Sequence, residues 1–392
     1  MRTPLAWYNL VYNKVRTTVA AAGVTFAVVL VFMQLGFLGS VETTVTRFFE
    51  AMDFDLLIRS PKYLHLSDTR EFPQTRLFEA AEVPGVQSVT PVQIGLSRWR
   101  SPLTQRTRGI LVIGIWPEQQ AFSTPEIRAK THLLEDQRSV LIDRKARKEF
   151  GPQNGRQFSD ADIGVVTEIS GHEVQIVGHF ALGTGLTADG CVLVNALAFR
   201  QFVPVRGPEE VSFGLVRLTP GAKAEQVAAG LRKRLACVQP SGQRGDVEVL
   251  ARSDAIQYEL RRWIRETSIG IIFQLGVAVS LAVGTVVVYQ VLSSDVAAHL
   301  RQYATLKAMG YTNGFLSRVV LAQAVGLALL GFGPGLLLAE ALYQLTSQMA
   351  NIPIVMNGGR IVAVLGMTVM MCALSGLGAL RKLWSADPAA LF

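Results

Sequence analysis

Charge is scarce in this sequence. Asp, Glu, Lys and Arg make up 17% of its 392 residues against 49% hydrophobic residues, a balance that argues against an ordinary soluble enzyme. Cysteine is scarcer still, and three of them are too few for a disulfide-built domain. Cys372 falls in an apolar window, whereas Cys191 and Cys237 read either as a pair formed in an oxidising compartment or as two separate thiols. The five histidines are dispersed. Even His172 and His179, flanking one predicted strand, have no Cys or carboxylate company at metal-ligand spacing, so no metal or other cofactor is implied.

Nucleotide and acyl-transfer motifs are missing as well. No G-x-x-x-x-G-K-[ST] occurs, which excludes a phosphate cradle with its lysine, and there is no G-x-S-x-G elbow. The stretch from Gly183 to Ala188 fits G-x-G-x-x-A, but Asp189-Gly190 follows where a dinucleotide site needs a helix. Ser241-Gly242-Gln243 faintly resembles an ABC signature loop but stands in a turn of a charged stretch. The net charge of +8 is scattered and interrupted by Asp and Glu, a pattern that does not suit nucleic acid.

What the chain does have is four long apolar runs, at residues 19–38, 269–291, 319–342 and 361–380. At 1.5 Å per residue each crosses a hydrocarbon core of about 30 Å. The first is too long for a signal-peptide core and lacks a convincing small-x-small site, so it reads as a retained span. Glu340 is the one formal charge inside any run. Arg2, Lys14 and Arg16 precede the first run, Arg301, Lys307 and Arg318 lie between the second and third, and Arg381 and Lys382 follow the fourth. By the positive-inside rule both termini and the 292–318 loop are cytoplasmic, while residues 41–268 and the 343–360 loop face outward. Gly276, Ser280 and Gly284 form a small-xxx-small ridge suited to close helix packing. The Gly331, Gly333, Pro334, Gly335 cluster predicts a kink in the third span.

The outward stretch reads as an α+β domain. Asp53–Ser60, a helix over 74–82 and Val86–Trp99 form one β-α-β unit. Val211–Leu218, a helix over 222–235 and Val247–Ala251 form another, and the pair predicts a ferredoxin-like core of residues 50–103 and 206–252. Between them, residues 104–205 carry strands of their own and read as an inserted subdomain. A helix capped by Ser253 is expected to run on toward the second span without a flexible linker.

Two cytoplasmic segments stand out. Residues 1–18, with Trp7, Tyr8 and Tyr12, predict an amphipathic helix on membrane lipid. In the 292–318 loop, Ser294 reads as an N-cap, Asp295 as a first-turn acid, Lys307 as a last-turn base and Gly310 as the C′ residue of a short helix. That helix would expose Leu306 and Met309 besides the Val296, Leu300, Tyr303 row, so a docked partner is expected.

These segments carry a resemblance. The run from Trp7 to Thr17, the Ala304-Thr305-Leu306-Lys307-Ala308-Met309-Gly310 segment and the Ala386-Asp387-Pro388-Ala389 tail at 381–392 resemble the permease superfamily of macrolide-exporter (MacB-like), lipoprotein-release and FtsX-like proteins. Tyr63 to Asp68, Phe180 to Thr184 and Tyr303 to Tyr311 are similar to the DevC subgroup of cyanobacterial exporters, with Gln302 where that subgroup has an acidic residue. The resemblance implies an ABC transporter permease acting by mechanotransmission in the bacterial inner membrane. Its partners would be a second copy of itself in a homodimer, a separate ABC ATPase subunit, a periplasmic adaptor and a TolC-type channel, with a glycolipid or other amphipathic molecule as cargo. Leu300, Arg301, Tyr303, Leu306, Lys307 and Met309 would then meet the ATPase. A lipoprotein-release permease and an FtsX-type regulator of cell-wall hydrolases are the alternatives within the same architecture.

With no nucleotide-binding motif of its own, the purified chain should show no ATP turnover above background until an ATPase subunit is added. Robust hydrolysis by the isolated protein, followed by phosphate release, would contradict this.

Overall fold

The computed structural model describes residues 14–152, 155–183, 189–203, 207, 209–235, 245–299, 302–303, 305–306, 309–350 and 353–384. The predicted helix at residues 1–18 therefore lies outside them up to residue 13, as do Cys237, the 241–243 segment and residues 385–392 of the tail. The chain divides into two compact units, a sheet unit (residues 40–266 and 350–353) and a span unit comprising the rest.

In the sheet unit, helix α1 (Lys14–Ala51) contributes its last turns. The polar residues after Gly39 read as the end of a span, yet the helix continues because Val41, Val45, Phe48 and Phe49 recur on one face and are buried. Strand β1 (Leu56–Arg59) is shorter than the alternation predicts. A two-residue strand, β2 (Phe72–Pro73), precedes α2 (Thr75–Ala81). Next come β3 (Val86–Arg100), β4 (Thr107–Ile115), the one-turn α3 (Pro125–Arg128), β5 (Ser139–Asp143), β6 (Val166–Ile169), β7 (His172–Phe180) and β8 (Cys191–Asn195). The unit continues with α4 (Ala196–Phe202), β9 (Glu210–Val211), β10 (Phe213–Leu218), α5 (Ala224–Arg234), β11 (Glu248–Ala251) and α6 (Arg252–Arg261).

Strands β11, β1, β10 and β3 lie side by side in that order, all antiparallel. Numbered along the chain this is 4-1-3-2, the ferredoxin-like arrangement. Leu56 and Ile58 point to the face covered by α2 and α5, with Leu77, Val227 and Leu231. Leu57 points to the other face, with Phe49, Phe54 and Phe213. Strand β3 is 15 residues long, so its second half outruns the ferredoxin-like part and pairs with β4. From there the order β4, β8, β5, β7, β6 returns to β3 through Trp99↔Ile169 and Arg100↔Glu168. The strands of residues 107–195 thus close into a six-stranded ring that shares β3 with the rest of the sheet, filled by Trp99, Val112, Ile142, Ile176 and Val194.

Two buried carboxylates fix loops in this unit. Asp143 accepts from the backbone N–H groups of Lys145 (2.9 Å), Leu182 (3.3 Å) and Gly183 (2.6 Å). Gly183, at φ +73°, thus begins a segment tied to a carboxylate, and an acid facing the loop would repel a phosphate. Cys191, beside it in the sheet, is a buried thiol, while Cys237 lies outside the described residues.

Glu259 on α6, fully buried, accepts from Tyr63 Oη (2.7 Å), Leu66 N (3.1 Å) and Trp263 Nε1 (2.9 Å). Beside it the buried Arg59 guanidinium lies 4.3 Å and 4.0 Å from the ring centroids of Tyr63 and Tyr258, and its Nε donates to Glu248 at 2.5 Å. Burial raises the Glu259 carboxyl above its ordinary value, against the opposing pull of the three donors and Arg59.

Helix α6 departs from expectation twice. It starts at Arg252 with Ala251 at the N-cap position, so Ser253 is not the cap. Nor does it run into the second span: a π-helical turn at Arg262–Glu266 is followed by Thr267 in extended conformation (φ −89°, ψ 150°). The span unit resumes there with α7 (Ser268–Ala298), α8 (Asn313–Ala350) and α9 (Gly358–Trp384). With α1 these make four helices long and apolar enough to cross a membrane. Helix α8 continues unbroken through Pro334, and Thr25 Oγ1 donates to the Gly331 carbonyl close by at 3.0 Å.

The raised Glu259 pKa fixes a sign. Its contribution to stability is fully present below the ordinary glutamate value of 4.5 and is lost as pH rises through the higher folded-state value. Glu259→Gln keeps an acceptor for Leu66 and Trp263 and lets the Tyr63 hydroxyl turn to accept from the amide. It should fold and flatten this part of the pH dependence in denaturant titrations. Glu259→Ala orphans three donors beside a buried arginine and should cost about 3–5 kcal/mol at neutral pH.

Candidate coupling site

Between α7 and α8 lies a connector, and at its root the sequence expectation needs correcting. Ser294 is no N-cap and Asp295 is not in a first turn: span helix α7 continues to Ala298, because Leu292 and Val296 keep burying the same face. Asp295 therefore sits in the last turn, where the helix dipole disfavours an anion. The compensation comes from α1. Arg16 donates to Ser294 Oγ at 2.9 Å and pairs with Asp295 Oδ1 at 3.3 Å, and the His299 Nδ1 lies 3.5 Å from the same carboxylate oxygen. Sequence reasoning counted Arg16 only as a topology-setting charge and missed this role.

The far end of the connector follows expectation. Gly310 has φ +92°, Tyr311 N donates to Leu306 O at 3.1 Å and Met309 N to Thr305 O at 3.0 Å. The bond spanning five residues across a left-handed glycine is a Schellman closure, in which Gly310 takes the C′ position without a Cβ penalty. Thr312 then caps α8, its Oγ1 accepting from Phe315 N at 3.3 Å. The Tyr311 and Phe315 rings pack at a tilt of 38° with centroids 4.9 Å apart, a pair absent from the predicted contact set.

Of the six residues expected to meet a partner, Leu300, Arg301 and Lys307 lie outside the described residues. Tyr303 is 4% exposed and Val296 is buried too, so these two side chains face inward. Leu306 is half-buried and Met309 is 63% exposed, with Tyr311 also exposed. The apolar surface the connector offers is thus centred on Leu306, Met309 and Tyr311.

The three packing residues come together on α7. A Cβ at Gly276 would meet the Gln34 side chain of α1 at 2.5 Å, and one at Gly284 would meet Met371 of α9 and Ala27 of α1. Ser280, buried between them, donates to Gly276 O at 2.7 Å. The ridge therefore packs against spans of the same chain.

The sequence matches the family model described as MacB-like periplasmic core domain over residues 17–234, and that described as FtsX-like permease C-terminal over residues 275–388. No curated protein matches it. Among solved structures, the extracellular domain of the noncanonic ABC-type transporter YknZ from Gram-positive bacteria is 14% identical, covering 50% of this chain and 100% of its own, at a TM-score of 0.34. The periplasmic region of MacB from Actinobacillus actinomycetemcomitans is 11% identical over 53% of this chain and 94% of its own, at 0.37. A domain of a putative permease protein from Porphyromonas gingivalis is 17% identical over 52% and 91%, at 0.32. The two family models meet the two units in turn, the first alone spanning more than half of the chain: this is a multi-pass membrane protein of the MacB/FtsX-like family of ABC transporter permeases.

Proposed function

We propose that the chain is the permease subunit of a tripartite exporter in the bacterial inner membrane. Two copies form a homodimer, and each receives an ATPase subunit on its α7–α8 connector. The sheet unit works in the periplasm with an adaptor protein and a TolC-type channel, expelling a glycolipid or other amphipathic molecule. The observation that supports this best is the connector itself. A chain without a nucleotide-binding motif presents Met309, 63% exposed, and the half-buried Leu306 on a short helical segment closed by a left-handed glycine, which is the shape of a knob for a hydrophobic groove. Arg301 and Lys307, outside the described residues, would add salt-sensitive attraction to an acidic rim.

Topology and coupling are tested separately. Single cysteines near residues 150 and 355, in a cysteine-free background, should react with a membrane-impermeant thiol reagent from the periplasmic side, and one near 305 should not. Labelling at 305 in intact spheroplasts would reverse the orientation.

Leu306→Asp puts a charge into the centre of the expected contact while sparing the backbone acceptor that Tyr311 uses. Membrane insertion and dimerisation should persist. ATPase co-purification should fall roughly tenfold or more, and export should stop. Normal capture of the ATPase with normal export would remove the connector from the mechanism.

A further inference from the structure

The ends of α1, α7 and α8 next to the connector surround a cavity of about 20 Å³. Ala20, Leu292 and Leu327 form its apolar wall, and Arg16, Asp295 and Gln323 its polar one. Gln323 is 2% exposed, and its Oε1 is buried with no hydrogen-bond partner among the described residues. Such an oxygen, buried in an apolar stretch of helix, is destabilising unless a donor reaches it. Methionine would fill the same length of α8 without that penalty, so packing alone does not account for the amide.

The chemistry of the wall selects the occupant. A calcium or magnesium ion needs about six oxygen ligands; the lining supplies three oxygen-bearing side chains, Thr17, Asp295 and Gln323, with Asp295 already paired with a guanidinium at 3.3 Å. An anion would face the Asp295 carboxylate and the lone pairs of Gln323, and a phosphate is far too large. A water molecule needs about 10–15 Å³ and two to four polar partners. It can donate to Gln323 Oε1 and to Asp295 and accept from Arg16.

We propose that this cavity binds one water molecule, which donates to Gln323 Oε1 and joins that amide to the Arg16–Asp295 pair. The direct bonds of Arg16 to Ser294 and Asp295 tie α1 to α7 alone. With the water, α8 enters the same network, and three spans are fastened together at the root of the connector. The site stands on the cavity and the orphaned amide, whatever partner the connector meets.

The experiment uses the full chain in lipid nanodiscs, with thermal unfolding measured for Gln323→Met, Asp295→Asn and the double variant. A hydrated site predicts that Gln323→Met lowers Tm by about 2 °C or more. It also predicts that Asp295→Asn then costs less in the Gln323→Met background than alone, because the network is already broken. A dry cavity predicts the reverse: removing an orphaned acceptor leaves Tm unchanged or raised and the two effects add, which would overturn the proposal. A density map of the unaltered protein gives a second reading that needs no variant. A water peak within hydrogen-bond distance of Gln323 Oε1 supports the site; an empty cavity in a map that shows waters elsewhere in the span bundle refutes it.

Discussion

Lipid offers helices no hydrophobic gain for associating with one another, so a span bundle is held by how closely its backbones approach and by the polar groups it can pair. Here the approach is made on α1. Gly276 and Gly284 of α7 admit Gln34 and Ala27, while Gly331 and Gly335 of α8 admit Val24 and Val28. At both α8 glycines an added Cβ would meet α1 backbone carbonyl oxygens besides the valines, and backbone cannot swing aside as a side chain can. The four glycines therefore set the spacing of α1 to both of its neighbours, and the remaining contacts of the span unit are arranged around that spacing.

Polar fastenings stand at both ends of the bundle. At one, Arg16 ties α1 to Ser294 and Asp295 of α7. At the other, Tyr343 of α8 donates to the Phe32 carbonyl, and Arg360 lies against Gly39 while donating to Tyr343 Oη at 3.4 Å and Val355 O at 2.9 Å. Both arginines adjoin the ends of spans, where a guanidinium can keep contact with interfacial water and still direct its donors inward. Between the two ends the contacts are mainly apolar or serine and threonine hydroxyls returned to carbonyls, such as Ser375 to Thr285 O at 2.8 Å. Close approach thus holds the middle of the bundle and directed hydrogen bonds hold its ends.

How legible this was in the sequence depended on range. Alternation and short apolar runs placed the strands of the sheet unit to within a residue or two at most ends, because a strand buries one face or, as β1, β5 and β8 do, both. Gly310 announced a helix end because a left-handed residue is a local requirement. The continuation of α1 to Ala51 was legible too, in the spacing of Val41, Val45, Phe48 and Phe49, but the polar residues among them read more strongly as a loop. Ser294-Asp295 looked like a cap by local chemistry, and it takes the burial of Leu292 and Val296 together with Arg16, 278 positions away from Ser294, to explain why a helix passes straight through. The closure of β3 onto β6 and the burial of Glu259 belong to the same class. On a helix, a glutamate reads as a solvated face until Tyr63, Leu66 and Trp263 are seen to converge on it.

The local backbone also departs from the sequence reading in two segments. The expectation placed rigidity in the helix before the second span, but Thr267 is extended and a π-helical turn precedes it, so two weak points lie in sequence there. Helix α1, by contrast, keeps its hydrogen-bond ladder from Lys14 to Ala51. Its early part carries the backbone approached by Gly331 and Gly335, and its last turns carry Phe48 and Phe49 into the core of the sheet unit. The ladder expected to be continuous before the second span is thus interrupted over 262–267, while that of α1, expected to end near Leu38, is not.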